Sequence, residues 1–474
     1  MTARPDVDVV VIGSGAAGLA AALAARGRGA ATVLVAESEA EPGGSSRLSG
    51  GLIMGAGTRY QRALGIDDDA AALFHDYMQV NRWNVDAAVV RRFCDRAGPT
   101  VEWLGELGVE YYDSLVFGGD ERVPRVHVPI GRGQAVIDVL HRHCREADVH
   151  IALGRRVDRL LVEQATVVGV AVGDDTITAA SVVIATGGFG NSPARLAEHF
   201  PSAAASGRAW YIGAPGARGD AFDLGAQVGA QLIGHDRGLR LLDVGFDRVY
   251  EAYLPGWLVL LNAAGRRFVD ETAPYGMMDF LVREQGDRVF AVFDQAALDR
   301  SSALAVARYK QTIPGSTKRQ SPHWNADIVA LMVAAGLVRS APTLEGLAAD
   351  LGLPVQPTVG AVTRYNGGAA GREDLEFAKD PAFLDPVATP PFYGAELRPA
   401  TVASTACGLR ISPDAEVLDQ LGGVVRGLYA AGECTGGVVG AHYVGSGNNY
   451  ANCVVMGRIA GAAAASLPVA GSAA

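Results

Sequence analysis

An α/β fold is predicted for this 474-residue chain, on three observations. A short apolar run, Asp8-Val-Val-Val-Ile12, passes directly into the glycine-rich turn Gly13-Ser-Gly-Ala-Ala-Gly18 and then into an alanine-rich stretch from Leu19 to Arg26. The chain carries 60 glycines, as many tight turns and close backbone approaches require. Hydrophobic residues make up 49% of it, and its length allows two or three domain-sized units around a well-buried core.

Asp8 to Ile12 reads as a buried parallel strand, Leu19 to Arg26 as a helix, and Thr32 to Ala36 as a second strand ending at Glu37. Together they form a Rossmann-like βαβ unit, with an acid 19 residues after the third glycine. Gly13 is expected to permit the tight turn, Gly15 to let a pyrophosphate approach the backbone, and Gly18 to allow close helix–strand packing. The helix start offers N–H groups and a positive dipole end to phosphates, and Glu37 is expected to accept from the adenosine ribose. A second glycine-rich segment, Gly43-Gly-Ser-Ser-Arg-Leu-Ser-Gly-Gly51, is too long for a hairpin turn and is expected to wrap the inner part of the dinucleotide. Ser181 to Phe189 and Gly427 to Glu433 read as further buried strands whose ends pass close to it.

Residues 244–401 differ in texture, with prolines, aromatics and helix-like stretches at Ile328 to Leu337 and Leu344 to Leu351. They are expected to form an inserted α+β catalytic or capping domain, with 1–243 and 402–474 building the dinucleotide-binding domain and the substrate held in a cleft.

The net charge of −10 argues against nucleic-acid binding, which needs a basic surface to neutralise phosphates. Five scattered cysteines (Cys94, Cys144, Cys407, Cys434 and Cys453) form no CxxC pair, so neither a disulfide framework nor a zinc site is indicated. His141 and His143 stand at i, i+2 on an expected helix and face different ways, so no metal site is expected. The apolar run at Val7 to Ile12 lacks the basic region and cleavage site of a secretory leader, and no apolar stretch reaches the about 20 residues of a spanning helix. A cytoplasmic protein without an integral membrane segment is expected.

With these motifs the chain resembles the fumarate reductase/succinate dehydrogenase flavoprotein superfamily over nearly its whole length. The motifs are Gly13-Ser-Gly-Ala-Ala-Gly18, Gly43-Gly-Ser-Ser46 with Ser49-Gly-Gly51, Ala185-Thr-Gly-Gly188, Gly219-Asp220, Phe268-Val-Asp-Glu271, Gly432-Glu433 and Gly457-Arg-Ile-Ala-Gly461. The resemblance implies FAD, with contacts at Gly13, Gly15, Ala17, Gly18, Glu37, Gly44, Ser45, Ser46, Ser49, Gly50, Gly51, Thr186, Gly187, Asp220, Gly432 and Asn449. It further places Val157 at the adenine and Glu433 at the ribityl chain. Some members tether FAD through a histidine in the second glycine segment; Ser45-Ser46-Arg47 holds none, so a non-covalent flavin is expected.

Fumarate and succinate enzymes clamp a dicarboxylate with arginines and histidines, whose donors match carboxylate charge and shape. By spacing, their catalytic arginine position is Tyr275 here, their second arginine falls within Tyr443-Val444, and a histidine position falls near Ser404. The replacements are similar to the 3-ketosteroid 1-dehydrogenase branch. There one tyrosine follows an Asn-Glu-Ser-x-Pro segment, as Tyr275 follows Asp270-Glu-Thr-Ala-Pro274, and a second lies 14 residues before the helix glycine, as Tyr443 precedes Gly457. Gly447 matches the glycine whose N–H assists in binding the ketone. The chain departs from that branch in being shorter and in having Val444-Gly-Ser-Gly447 where a Pro-Gly-Pro-Gly loop is usual. Smaller cyclohexanone-type rings such as 4-oxocyclohexanecarboxylate, and 4-dehydrogenation of saturated 3-ketosteroids, therefore stay open.

The resemblance implies desaturation of a cyclic ketone at its α,β carbons. Tyr443 O–H and Gly447 N–H would polarise the carbonyl, Tyr275 would take the α proton, and FAD N5 would accept the β hydride. A free tyrosine ionises near pH 10, so the base needs help; Tyr111 or Tyr112 is the candidate relay, with packing the alternative for both, and His442 a candidate support for Tyr443. Electrons would then pass to an external quinone-like or artificial acceptor, since no second dinucleotide fold is evident. The alternative of another class is a flavoprotein subunit in an electron-transfer complex.

Overall fold

The computed structural model describes residues 4–119, 121–248, 254–301, 314 and 323–466. Six strands and four helices position everything below: β1 (Val7–Ile12), β2 (Val33–Ala36), β3 (Asp175–Ile184), β4 (Val289–Asp294), β5 (Phe392–Thr405) and β6 (Val424–Ala430), with α1 (Ala16–Gly27), α2 (Ala70–Val80), α3 (Tyr275–Arg283) and α4 (Asn448–Ala464). The fold is mixed α/β, and the chain divides into two units.

The first unit comprises Met1–Ser202, Gly213–Leu239 and Ala403–Ala474. Its sheet has a parallel core in the order β6, β3, β1, β2 and His150–Ala152. β1 pairs Ile12 with Ala36 on one side and with Ile184 on the other, so three strand ends stop level with one another. Valine-rich β1 is buried along Asp8–Ile12 because it lies in mid-sheet, where β-branched side chains pack on both faces. Strands Arg159–Glu163 and Thr166–Val172 add an antiparallel meander with the start of β3.

α1 starts three residues earlier than the apolar pattern alone suggests, with Gly15 as its N-cap. The alanines let it lie flat against α4: a Cβ on Gly457 would sit 2.3 Å from the Ala17 carbonyl oxygen, and one on Gly461 1.9 Å from that of Ala21. Two glycines four residues apart thus face two alanines four residues apart, a close ridge contact. The second glycine segment is not wholly a loop, since Gly44–Leu48 forms a helical turn.

The second unit comprises Ala203–Ile212 and Arg240–Val402. In it β5 runs antiparallel to β4, which pairs in turn with Val259–Asn262, and Val338–Ala341 adds to the other edge of β5. Every β4 residue is buried, and alternate positions feed different cores. Val289, Ala291 and Phe293 join one cluster with Trp257 and Trp324, while Phe290 and Val292 join another with Val362 and Tyr365. Ala203–Ile212 belongs here because Trp210 and Tyr211 pair with Thr401 and Val402, and Trp210 Nε1 donates to Asp243 at 2.8 Å. Among the described residues no helix is long and apolar enough to cross a membrane, and no group of three or more His, Cys, Asp or Glu could hold a metal ion.

Candidate active site

A groove opens in the first unit where the ends of β1, β2 and β3 meet the start of α1. Gly13, Gly15, Ala17, Glu37, Gly44, Ser45, Ser46, Val157, Thr186, Gly187, Asp220 and Glu433 line it. Gly18, Ser49, Gly50, Gly51, Gly432 and Asn449 do not. For Gly18 the reason is internal: a Cβ there would lie 1.9 Å from the Gly13 carbonyl oxygen, so its smallness serves the strand–helix turn. Gly51, at φ +68, would similarly drive a Cβ to 2.5 Å from Gly133 N.

Glu37 is buried at the end of β2, where its Oε2 accepts from Ser14 N at 2.8 Å and from Ser14 Oγ at 2.6 Å, and its Oε1 from Glu39 N at 2.8 Å. The α1 N-terminus has no side-chain cap from Gly15; the Ser46 hydroxyl accepts from Ala16 N instead, at 3.1 Å. Glu433 accepts from Thr405 N at 2.8 Å and Thr405 Oγ1 at 2.9 Å, and burial pushes its carboxyl above the usual range. A Cβ on Gly188 would lie 2.3 Å from Glu433 Oε1, so that glycine makes room for the carboxylate.

These residues fit FAD. A Cβ on Gly15 would meet nothing closer than Ser46 Oγ at 3.6 Å, so no part of the chain requires a glycine there, whereas a phosphate on the helix start would. The Thr186 hydroxyl, in the groove lining, is buried with no hydrogen-bond partner, an orphan that a bound polar ligand would satisfy. Sequence reading missed Ser14, Glu39, Arg156, Gly216 and Cys453, which also line the groove. Arg156 holds Asp220 bidentately at 2.9 and 2.7 Å, and Gly216 N donates to Glu39 Oε1 at 2.7 Å, in both cases across long sequence separations that no local motif signals.

Tyr443 and Gly447 lie in the first unit on the loop entering α4. Gly447 is the N-cap, at φ +86, and a Cβ there would lie 2.8 Å from Met54 N. The same loop is tied to Gly118, whose carbonyl accepts from Ser446 N at 2.9 Å. Behind that contact is Glu121, buried, accepting from Gly118 N at 3.1 Å and Gly119 N at 2.8 Å; burial raises its carboxyl. His442 is buried and donates its backbone N–H to Asn81 Oδ1 at 3.0 Å.

Of the relay candidates, Tyr111 packs edge-on against Tyr60 and His127 and donates to the Val101 carbonyl at 3.3 Å. Tyr112 is half-buried, with its backbone N–H on Val128 O at 3.0 Å.

Tyr275 lies in the second unit, buried, as the first residue of α3 after the N-cap Pro274. The segment delivering it is fixed in two ways. Asp270 Oδ1 accepts from Thr272 N at 2.8 Å and Thr272 Oγ1 at 2.7 Å, closing a turn. Glu271 is buried between Arg267, at 3.0 Å, and Lys379, at 3.0 Å, with Asp374 completing the cluster through Arg267. Two cations thus meet two carboxylates, the condition under which such burial is tolerable.

A family described as an FAD binding domain matches residues 8–450. The chain is 30% identical to a probable fumarate reductase of Shewanella frigidimarina over 432 residues, covering 88% of this chain and 68% of that protein. It is also 30% identical to the vinyl phenol reductase of Lactiplantibacillus plantarum over 440 residues, covering 86% and 85%. Among solved structures it is similar to the 3-ketosteroid-delta4-(5alpha)-dehydrogenase of Rhodococcus jostii in complex with 4-androstene-3,17-dione, at a TM-score of 0.78 and 25% identity, covering 98% of this chain and 100% of that one.

Proposed function

This chain belongs to the FAD binding domain family, in which it is an FAD-dependent oxidoreductase of carbon–carbon single and double bonds, and we propose that its substrate is a cyclic ketone, a 3-ketosteroid first. The observation that carries the reading is the neutral character of the residues assigned to hold the substrate. By spacing, Tyr275 and Tyr443 fall at, and Ser404 near, the positions where carboxylate clamps would need cations, and a buried acid, Glu121, holds the Gly118–Gly119 backbone to which the Tyr443 loop is tied. A dicarboxylate would leave its charges uncompensated there, at a cost of several kcal/mol for each charge taken out of water.

Tyr443 O–H and Gly447 N–H are assigned to the ketone oxygen. Gly447 caps a 17-residue helix whose positive end favours the charge that grows on that oxygen as an enolate forms. Tyr275, as the phenolate left once its own proton has passed to a neighbouring group, is assigned as the base for the α proton. Bound FAD supplies the acceptor for the hydride that leaves the β carbon. Burial keeps water from competing for both groups. A smaller cyclohexanone-type ring such as 4-oxocyclohexanecarboxylate is the alternative among ketones. The likeness to vinyl phenol reductase favours a second reading, reduction of a double bond conjugated to an oxygen-bearing ring, which the same two donors would serve. In either case the electrons are exchanged with an external quinone-like partner in the cytoplasm.

A dye-reduction screen with 5α-androstane-3,17-dione, cyclohexanone and 4-oxocyclohexanecarboxylate tests the proposal, with fumarate-driven reoxidation of reduced enzyme as the counter-assay. Turnover of a ketone with fumarate inert is the expected result. Fumarate reoxidation at a rate rivalling ketone turnover would sink it.

A further inference from the structure

We propose that Tyr77 is a positioning residue for the ketone-binding pair, holding Tyr443 and Gly447 in register by tying both ends of their loop to α2. The inference rests on the assignment of those two groups to the ketone oxygen.

Tyr77 is fully buried on α2. Its hydroxyl donates to the Val438 carbonyl at 2.6 Å, before the loop, and lies 3.0 Å from Asn448 Nδ2, immediately after Gly447. One oxygen therefore gives its proton to one end of the loop and accepts from the other. One helical turn later Asn81 repeats the arrangement: its Oδ1 accepts from His442 N at 3.0 Å, and its Nδ2 donates to the Tyr77 carbonyl at 3.2 Å. The fit there leaves no slack, since a Cβ on Gly440 would lie 1.9 Å from Asn81 Oδ1. Residues 438, 440, 442 and 448 are thus all gauged against Tyr77 of α2 and Asn81, its C-cap, while Tyr443 and Gly447 stand between the fixed points.

The partners are far apart in sequence, Tyr77 and Asn448 by 371 residues. Burial, opposed only in part by the Asn448 hydrogen bond, pushes the ionisation of Tyr77 well upward, so it stays a neutral donor at working pH. Nothing else about Tyr77 suggests that it touches substrate; its hydroxyl is already engaged on both sides.

The test uses full-length holoenzyme and the three ketones of the screen. Tyr77→Phe should lower kcat/KM about ten- to hundredfold, the penalty expected for a small misplacement of reacting groups. It should also lower the melting temperature, because the Asn448 amide and the Val438 carbonyl lose a buried partner. In Tyr77→Phe/Asn448→Leu the amide is removed too, and the part of the lost melting temperature due to it should return while kcat/KM stays low. Gly440→Ala, which dislodges Asn81 from the loop side, should lower kcat/KM in the same way with flavin retained. Recovery of turnover together with melting temperature in the double variant would make Tyr77 merely structural and overturn the inference. Tyr443→Phe, run in parallel, separates the two ideas. Wild-type turnover in Tyr443→Phe, or no ketone turned over by the wild type, overturns the ketone-site reading and this inference with it. Impaired Tyr443→Phe beside unimpaired Tyr77→Phe overturns this inference alone.

Discussion

Tyr275 and Tyr443 are buried to the same degree, each 9% exposed, yet the roles assigned to them fail differently when the hydroxyl is removed. Tyr275→Phe takes away the proton acceptor but leaves the ketone oxygen held, so kcat should collapse while ketone binding, followed by the flavin absorbance change, persists. Tyr443→Phe removes one of two donors to the developing enolate oxygen, a loss of about 2.7–4 kcal/mol in comparable sites, and should weaken binding and turnover together. Washout of α-deuterium from bound ketone separates them from flavin chemistry, because it requires the base and the donors but no hydride transfer. A variant with wild-type turnover and FAD bound would reduce that tyrosine to packing.

Close helix contact decides the next scale. α1 and α4 approach through Gly457 and Gly461, and α1 also presents its N-terminus to the cofactor groove, so the quality of that contact should be read in flavin retention. Gly461→Val places its Cβ almost on the Ala21 carbonyl oxygen; a loss of about 1–3 kcal/mol is expected, with flavin appearing in the filtrate. Gly27→Ala is the counterpart at the far end of α1, where a Cβ meets nothing within 4 Å, and should be neutral or stabilise by up to about 1 kcal/mol. Equal melting temperatures for the two variants would refute the packing argument. The short helix Gly44–Leu48 bears on the flavin as well. It carries two serines and an arginine but no histidine, so acid precipitation should release the yellow colour into the supernatant. Flavin left in the pellet would contradict a non-covalent cofactor.

Across the whole molecule, what was legible in the sequence is what is local. Asp8 to Glu37 showed its strand, turn and helix because side-chain period and glycine placement are properties of neighbouring residues; β1 and β2 depart from that reading by one residue at their starts, and α1 by three residues at its start and one at its end. Gly18 was readable as a packing glycine for the same reason. The contacts that complete the groove, Arg156 with Asp220 and Glu39 with Gly216, and the ties of Tyr77 to the Tyr443 loop, join segments that only tertiary folding brings together. Acid stability belongs to this scale too. His127 is fully buried, its Nε2 2.9 Å from Thr58 Oγ1 and its Nδ1 3.1 Å from the Arg125 carbonyl, the pattern of a neutral ring that accepts from the threonine and donates to the carbonyl. Burial, opposed only in part by neighbouring carbonyls, lowers its pKa to about 4. Unfolded, the ring titrates near 6.5, so between these values the unfolded chain binds the proton that the folded chain refuses. Stability from this group is therefore complete above pH 6.5 and is lost as the pH falls towards 4, by about 3 kcal/mol in all. Asp374 acts in a lower window. Burial alone would raise it, but the Arg267 hydrogen bonds and two backbone N–H groups bring it to about 2, so its contribution is lost only as pH falls from about 4. Between pH 6.5 and 4 the melting temperature should therefore carry this loss, against the opposite contribution of Glu121, Glu433 and Asp279, whose carboxyls burial raises. His127→Gln, which cannot be protonated, should flatten that part of the curve and leave the steeper fall below pH 4 in place. Wild-type and His127→Gln curves that run parallel between pH 6.5 and 4 would mean that the ring takes up its proton without unfolding the chain around it.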